Sequence, residues 1–333
     1  MSIFHIAELS GNHNNSLDNA YELIETYSKA GASAIKLQTF KPETITINSN
    51  RKEFLIKSGL WKDRTLYDLY KESSMPWEWQ KELGAFVKSR GMKFISSPFD
   101  FTAVDFLMDI EVESLKVASP EIVDTPLIKY MASTGLPLII STGMATMMEI
   151  ARAVDAAICG GANEITLLKC TSSYPSKIED MNLGAIPRLK ETFGLPVGLS
   201  DHSLGSLAAS IAVALGARVI EKHVVLDRNK GGIDSAFSME PNEYKSMVGD
   251  TESTYSSLTD NVGPVAAEEI AIEHRRSLYV IKNMEAGEKI TTENVKSIRP
   301  GYGLDPMYFD FVKGMKVTRN LSAGEPLTKD CLV

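Results

Sequence analysis

Eight short apolar runs alternate with stretches of helical spacing up to about residue 224, and few folds accept that order. The expected strands are Phe4–Leu9, Ala34–Gln38, Lys93–Ser97, Ser114–Ala118, Pro137–Ser141, Glu164–Lys169, Pro196–Leu199 and Arg218–Lys222. The expected helices between them are Leu17–Ala30, Pro76–Arg90, Ala103–Ile110, Pro126–Ser133, Met147–Cys159, Met181–Phe193 and Leu204–Gly216. Gly31, Gly91, Gly135, Gly160 and Gly216 stand at helix ends, where a left-handed cap favours glycine. Eight strands in strict alternation predict a (β/α)8 TIM barrel. An open doubly wound sheet is the competitor. It usually has fewer strands, and no glycine-rich dinucleotide fingerprint follows the first strand here.

The chain has 333 residues, which suits one large domain and a small one. We expect the barrel over residues 1–260, a linker over 261–274 and a β-rich module over 275–333. Within the last, Asn283-Met-Glu-Ala-Gly-Glu-Lys-Ile-Thr is echoed by Asn320-Leu-Ser-Ala-Gly-Glu-Pro-Leu-Thr, an offset of 320 − 283 = 37 residues. A helix is expected from Pro241 to Leu258 ahead of the linker. The net charge of -8 argues against a nucleic-acid surface, which needs a basic face. It leaves room for an anionic small molecule, because a few local lysines override the global sign. Three cysteines without metal or CxxC spacing, and no signal-peptide pattern at the start, set the expectation of a reduced, cytoplasmic protein without a membrane span.

A barrel places its chemistry at the C-terminal ends of its strands. Those ends carry Glu8 with Asn12-His13-Asn14, then Lys36-Leu37-Gln38, Ser96-Ser97-Pro98-Phe99, and Lys116 with Ser119 and Glu121. Next come Ser141-Thr142-Gly143-Met144, Lys169 to Tyr174, Ser200-Asp201-His202, and Glu221-Lys222-His223. A lone serine at such a place is as readily the N-cap of the next helix, and Ser97 or Ser141 alone would be read so. The whole set would not. Two ammonium groups with several hydroxyls suit a phosphate or carboxylate. His202 and His223 lie one strand-helix-strand step apart, 223 − 202 = 21 residues, so a parallel unit brings both imidazoles to one sheet edge. There they can hold a divalent metal, or they are two unrelated histidines. His5 alternates with apolar residues and reads as a core histidine. A Schiff-base aldolase with Lys36 or Lys116 as nucleophile is the other chemical reading, and it gives the histidine pair no role.

In order along the chain stand Ala7-Glu8, Gly11-Asn-His-Asn14, Lys36-Leu-Gln38, Ser96-Ser-Pro-Phe99, Lys116 with Ser119, and Ser141-Thr-Gly-Met144. Cys170-Thr, Tyr174-Pro, Gly198-Leu-Ser-Asp-His202, Glu221-Lys-His223 and Gly232-Ile-Asp234 complete the series. With these motifs the chain resembles the sialic acid synthase family, which condenses phosphoenolpyruvate with an amino-sugar aldehyde. The C-terminal repeat resembles the antifreeze-like (SAF) domain of that family. Leu66–Glu72, Pro76-Trp-Glu-Trp79, Asp234–Ser238 and Ser297–Leu304 are most similar to its pseudaminic acid branch; the N-acetylneuraminate and legionaminic acid branches are the alternatives. Asn15 and Ile233 depart from the family pattern on the sugar-facing loops.

The resemblance implies that Lys36, Ser97, Lys116, Ser119, Ser141, Ser172, Tyr174 and Ser200 bind phosphoenolpyruvate. It implies that His202 and His223 hold Mn2+, or else Mg2+ or Co2+, and that Glu8 is the catalytic base. Asn12, Gln38, Glu121, Asp234 and Arg299 would contact the sugar, Arg299 from a partner subunit in a domain-swapped homodimer. A carbohydrate- or ice-binding protein with a degenerate barrel is the non-enzymatic alternative, and it need retain neither the lysines nor the histidines.

Overall fold

In the computed structural model, which describes residues 2–333, the eight expected strands close into one parallel barrel in sequence order. They are β1 Phe4–Glu8, β2 Ala34–Thr39, β3 Lys93–Pro98, β4 Ser114–Val117, β5 Leu138–Ser141, β6 Ile165–Cys170, β7 Val197–Asp201 and β8 Val219–His223. β1 pairs with both β2 and β8, in the registers Glu8 with Lys36 and Glu8 with His223. The competing open sheet is thereby excluded. Helices Leu17–Lys29, Trp77–Ser89, Phe101–Asp109, Thr125–Ser133, Met147–Gly160, Ala185–Phe193, Leu207–Ala214 and Pro241–Ser257 follow the strands.

Period-2 alternation separates two apolar layers. Outward residues such as Ala7, Leu37, Leu115, Val117, Ile140 and Leu199 join the large core under the helices. Inward residues Ile6, Ala34, Ile95, Ile139 and Leu168 make a separate apolar floor inside the barrel. One or two steps further along each strand the inward positions turn polar. The barrel thus carries a dry plug at one end and a polar chamber at the other.

Four local outcomes differ from the sequence reading. The helix expected from Met181 starts at Ala185, after Asn182 in the left-handed region (φ 48°). The helix expected from Leu204 starts at Leu207, because Asp201 Oδ1 accepts from Ser203 N (2.8 Å) and Ser203 Oγ (2.7 Å). Lys222 Nζ also donates to the carbonyls of Ser203 and Gly205, so those carbonyls are unavailable to a helix. The left-handed cap of Met147–Gly160 is Gly161 (φ 98°), not Gly160. Gly160 is glycine for a different reason: a Cβ there would stand 2.5 Å from the Lys129 carbonyl oxygen. Finally, the segment between β2 and Trp77 holds a second helix, Leu66–Ser73, started by Thr65, whose Oγ1 accepts from Asp68 N (3.0 Å).

The chain divides into two compact units at Leu258 and Thr259, two residues before the expected barrel end. The stretch 261–274 groups with the C-terminal unit and holds the short helix Glu269–Ile272. Its end is tied down: Gly301 N donates to Glu273 O (2.9 Å) and Tyr302 OH to Glu273 Oε2 (2.9 Å). In that unit β9 Ser277–Val280 pairs antiparallel with β10 Val295–Ile298. The 37-residue repeat is a structural pseudo-symmetry. Ala286 N donates to Asn320 Oδ1 (2.8 Å) and Ala323 N to Asn283 Oδ1 (2.9 Å). Met284 and Leu321 exchange both backbone hydrogen bonds, at 2.8 and 2.9 Å.

His5 is the core histidine expected. It faces out of the barrel, and its Nε2 lies 2.8 Å from Thr251 Oγ1. Burial pushes its pKa down from 6.5 to about 4, against the pull of Glu252. Between those values the unfolded chain holds the proton and the folded one does not, so stability rises with pH across that window. The contribution is fully present above pH 6.5 and lost as pH drops through about 4. It amounts to about 3 kcal/mol. His5→Gln should flatten the pH dependence of urea unfolding over that window by this amount; an unaltered dependence would refute the assignment.

Candidate active site

The polar chamber is built by strand register. Glu8, Lys36, Ser97, Lys116, Ser141, Ser200, Glu221 and His223 are inward-facing positions of seven different strands, and all but His223 are buried outright. Lys36 Nζ stands 2.5 Å from Glu8 Oε2 and donates to Ser97 Oγ at 3.4 Å. Lys116 Nζ donates to Ser141 Oγ (2.6 Å) and lies 3.8 Å from Glu221 Oε1, which also accepts from Ser200 Oγ (3.0 Å). The N-cap reading of Ser97 and Ser141 fails. Asp100 caps the helix after Ser97 and Thr146 the helix after Ser141, leaving both hydroxyls to the lysines.

Burial dominates the electrostatics. It pushes the Glu8 carboxyl up from its ordinary value, against the Lys36 ammonium and the Gln38 amide. It pushes Lys116 down, against the attraction of Glu221. Two cations and two carboxylates balance here. A multiply charged anion that takes over the lysines would complete a set of charge-assisted hydrogen bonds that the hydroxyls already frame.

Ser119 and Ser172 extend the frame at the ends of β4 and β6. Gly143 N donates to Ser119 Oγ (3.1 Å), and a Cβ on Gly143 would fall 2.4 Å from Ser172 Oγ and 2.6 Å from Ser119 Oγ. Only a glycine leaves both hydroxyls and the backbone amide facing the same small space. Glu121 lies beside them, its Oε2 buried without a hydrogen-bond partner among the described residues, and burial pushes its pKa up to about 7.

The two histidines meet as the spacing predicted, with ring centroids 5.3 Å apart. His202 Nδ1 lies 3.1 Å from the Thr171 carbonyl. A carbonyl can only accept, so Nδ1 carries the hydrogen and Nε2 keeps a free lone pair. His223 Nδ1 is buried without a hydrogen-bond partner among the described residues, and Asp234 Oδ2 is 3.9 Å from it. Burial pushes His223 well below its ordinary pKa, which keeps it neutral and ligand-competent at pH 7. The pair fits a divalent cation. Among the described residues no group of three or more His, Cys, Asp or Glu has metal spacing, so other coordination positions would fall to substrate and water. Lys222 faces away from the chamber, where it pairs with Asp201 at 2.7 Å and steadies the loop that follows His202.

The expected sugar residues divide. Gln38 Nε2 donates to Glu8 Oε1 at 2.9 Å and so belongs to the chamber. Asp234 reaches it too, accepting from Ser10 Oγ, and burial raises its pKa. Asn12 is used as a brace: its Nδ2 donates to Val224 O and Ser238 Oγ, both at 2.8 Å. His13 packs edge-on against Trp79 and is not placed with the histidine pair. Tyr174 packs at a tilt against His202, with centroids 4.5 Å apart. Asn15 and Ile233 face one cleft of ≈ 340 Å³, shared with Glu72 and Lys230. Arg299 is exposed just past β10 in the C-terminal unit. Two chamber residues went unassigned in the sequence: Glu221, and Cys170, whose Sγ is 3.9 Å from His202 Nδ1. Their signal was period 2, since Glu221 precedes His223 by two residues and Cys170 precedes Ser172 by two.

Comparison with known proteins identifies the family. The model of the NeuB family matches residues 23–263, and that of the SAF domain matches residues 275–333. The chain is 42% identical to a pseudaminic acid synthase of Campylobacter jejuni, over 98% of this chain and 95% of that protein. It is 41% identical to a pseudaminic acid synthase of Helicobacter pylori, over 98% and 96%. Among solved structures, an N-acetylneuraminic acid synthetase from Leptospira borgpetersenii, crystallised with citrate, superposes with a TM-score of 0.73 at 34% identity, covering 82% of this chain and 91% of its own. The chain belongs to the NeuB family and ends in a SAF domain.

Proposed function

We propose that the barrel condenses phosphoenolpyruvate with 2,4-diacetamido-2,4,6-trideoxy-L-altrose and water, giving pseudaminic acid and phosphate. The observation that carries the reading is a chamber with two buried lysines, framing hydroxyls and two adjacent imidazoles, in a chain 42% identical to a pseudaminic acid synthase.

Lys36 and Lys116, with Ser97, Ser119, Ser141, Ser172, Ser200 and Tyr174, bind the phosphate and carboxylate of phosphoenolpyruvate. His202 and His223 would hold the divalent ion, Mn2+ first and Mg2+ or Co2+ otherwise; when bound, it supplies Lewis-acid polarisation of the sugar aldehyde. Gln38, Glu121, Asp234 and the Asn12-braced loop orient the open-chain sugar so that its C1 faces C3 of the enol. A bond forms between C3 and C1, and the aldehyde oxygen takes a proton. Water adds to the electron-poor C2 and yields a proton to Glu8, whose carboxylate burial makes more basic than a free one. The bond from C2 to the phosphate-ester oxygen then breaks as the new C2 hydroxyl gives its proton to the departing phosphate, leaving a C2 ketone and free phosphate. The enzyme is a transferase of the cytoplasm. In the proposed homodimer Arg299 of one copy serves the barrel of the other.

Phosphate release from phosphoenolpyruvate with Mn2+ tests the reading, with 2,4-diacetamido-2,4,6-trideoxy-L-altrose, the legionaminic acid precursor or N-acetylmannosamine as acceptor. We expect EDTA-sensitive release with the first. Release only with another acceptor would keep the chemistry and replace the sugar. Silence with all three in the metal-loaded enzyme would favour a carbohydrate-binding barrel.

A further inference from the structure

The insertion between β2 and Trp77 sends one large side chain back to the barrel mouth. Trp61 Nε1 donates to the Ile233 carbonyl at 3.0 Å, so the only polar atom of the indole is already satisfied. Its ring stands 5.6 Å from Tyr174 and 6.4 Å from Phe237. Phe237 is buried and lies 5.0 Å from both Tyr174 and His223. Tyr174 is 4.5 Å from His202. The result is a continuous aromatic wall that begins at the two imidazoles and ends at Trp61, in a site whose other walls are hydroxyls, amides and charges.

Such a wall has little use for a hydroxyl-rich end of a sugar. An open-chain hexose spans roughly 6 Å from C1 to C6, with C–C bonds of about 1.5 Å. With C1 beside the imidazoles, C6 falls one to two ring spacings away, at the distance of Tyr174 and Trp61. We infer that Trp61, backed by Phe237, is a specificity residue that reads the C6 end of the acceptor, favouring a 6-deoxy sugar with a methyl group over one with a C6 hydroxyl. The inference rests on the proposed reaction and narrows its substrate class. A methyl against an aromatic face is desolvated at no cost, whereas a hydroxyl there forfeits hydrogen bonds to water that the indole, its N–H spent on Ile233, does not restore.

The test compares kcat/KM for 2,4-diacetamido-2,4,6-trideoxy-L-altrose with that for the same sugar bearing a C6 hydroxyl. The wild type should prefer the deoxy sugar by roughly 10- to 100-fold, the range a hydrophobic site achieves against an added hydroxyl. Trp61→Gln should bring the ratio close to one, mainly through a raised KM for the deoxy sugar, with the KM for phosphoenolpyruvate held. Trp61→Phe removes the hydrogen bond to Ile233 but keeps an apolar face, and should retain most of the preference. If Trp61→Gln slows both sugars equally, or if Trp61→Phe loses the preference as fully as Trp61→Gln, Trp61 is a loop latch and the inference is wrong. If the wild type turns over the trideoxy sugar without preferring it, the inference fails while the proposed reaction stands. If the wild type does not turn it over at all, the reaction itself is misassigned and the inference falls with it.

Discussion

Replacing His223 by alanine is expected to lower phosphate release on the order of 10³-fold and to make the residual activity insensitive to EDTA. Electrophilic assistance at the aldehyde is worth several kcal/mol, and each 1.36 kcal/mol is a factor of ten. In the proposed role one histidine would not substitute for two. His202 has spent Nδ1 on the Thr171 carbonyl, and among the described residues no third carboxylate or thiolate completes a metal-spaced group. Mn2+ binding followed by electron paramagnetic resonance separates loss of the ion from loss of the fold. Unchanged Mn2+ affinity in His223→Ala and His202→Ala would remove the pair from this role.

Glu8→Gln should cut kcat by about 10²- to 10⁴-fold, the usual worth of a positioned proton acceptor. The substitution is isosteric and still offers an oxygen to the Gln38 amide, but it cannot take a proton. The pH profile gives the sign. Burial raises the Glu8 carboxyl above its ordinary 4.5, so below the raised value it already holds a proton and is useless as a base. Wild-type kcat should therefore fall on an acid limb lying above the ordinary carboxylate range, and the residual activity of Glu8→Gln should lack that limb. A variant that keeps the wild-type rate would transfer the role elsewhere, and Glu221 is another buried chamber carboxylate.

Much of the barrel was legible because two periods coexist in the sequence: period 2 in the strands and 3.6 in the helices. Each expected strand matched to within two residues at either end, and Glu8, Lys36, Lys116, His202 and His223 all fell at strand ends. What the sequence concealed was side-chain commitment. Asn12 looked like a free amide beside a sugar site, yet Val224 and Ser238, more than 200 positions away, occupy its donors. Glu221 read as part of a histidine motif, and only the closed barrel places it against Lys116. Trp61 lay in a segment without periodicity, and nothing local announces that its indole crosses to Ile233. That the expected linker groups with the C-terminal unit was hidden for the same reason, since the contacts of Glu273 are made with residues 301 and 302.

The reciprocal bonds between Asn283 and Ala323 and between Asn320 and Ala286 make the C-terminal module a two-fold dimer written as one chain. Each half finishes the other: Ile290 N bonds to Met315 O as Leu327 N bonds to Leu278 O, both at 2.9 Å, with each residue 37 positions from its counterpart. Neither half can fold as a smaller version of the whole. A chain stopped just before Asn320 would not keep half a module; it would strip acceptors from Ala286, Val280 and Met284 together and lose the fold of the remaining half as one event.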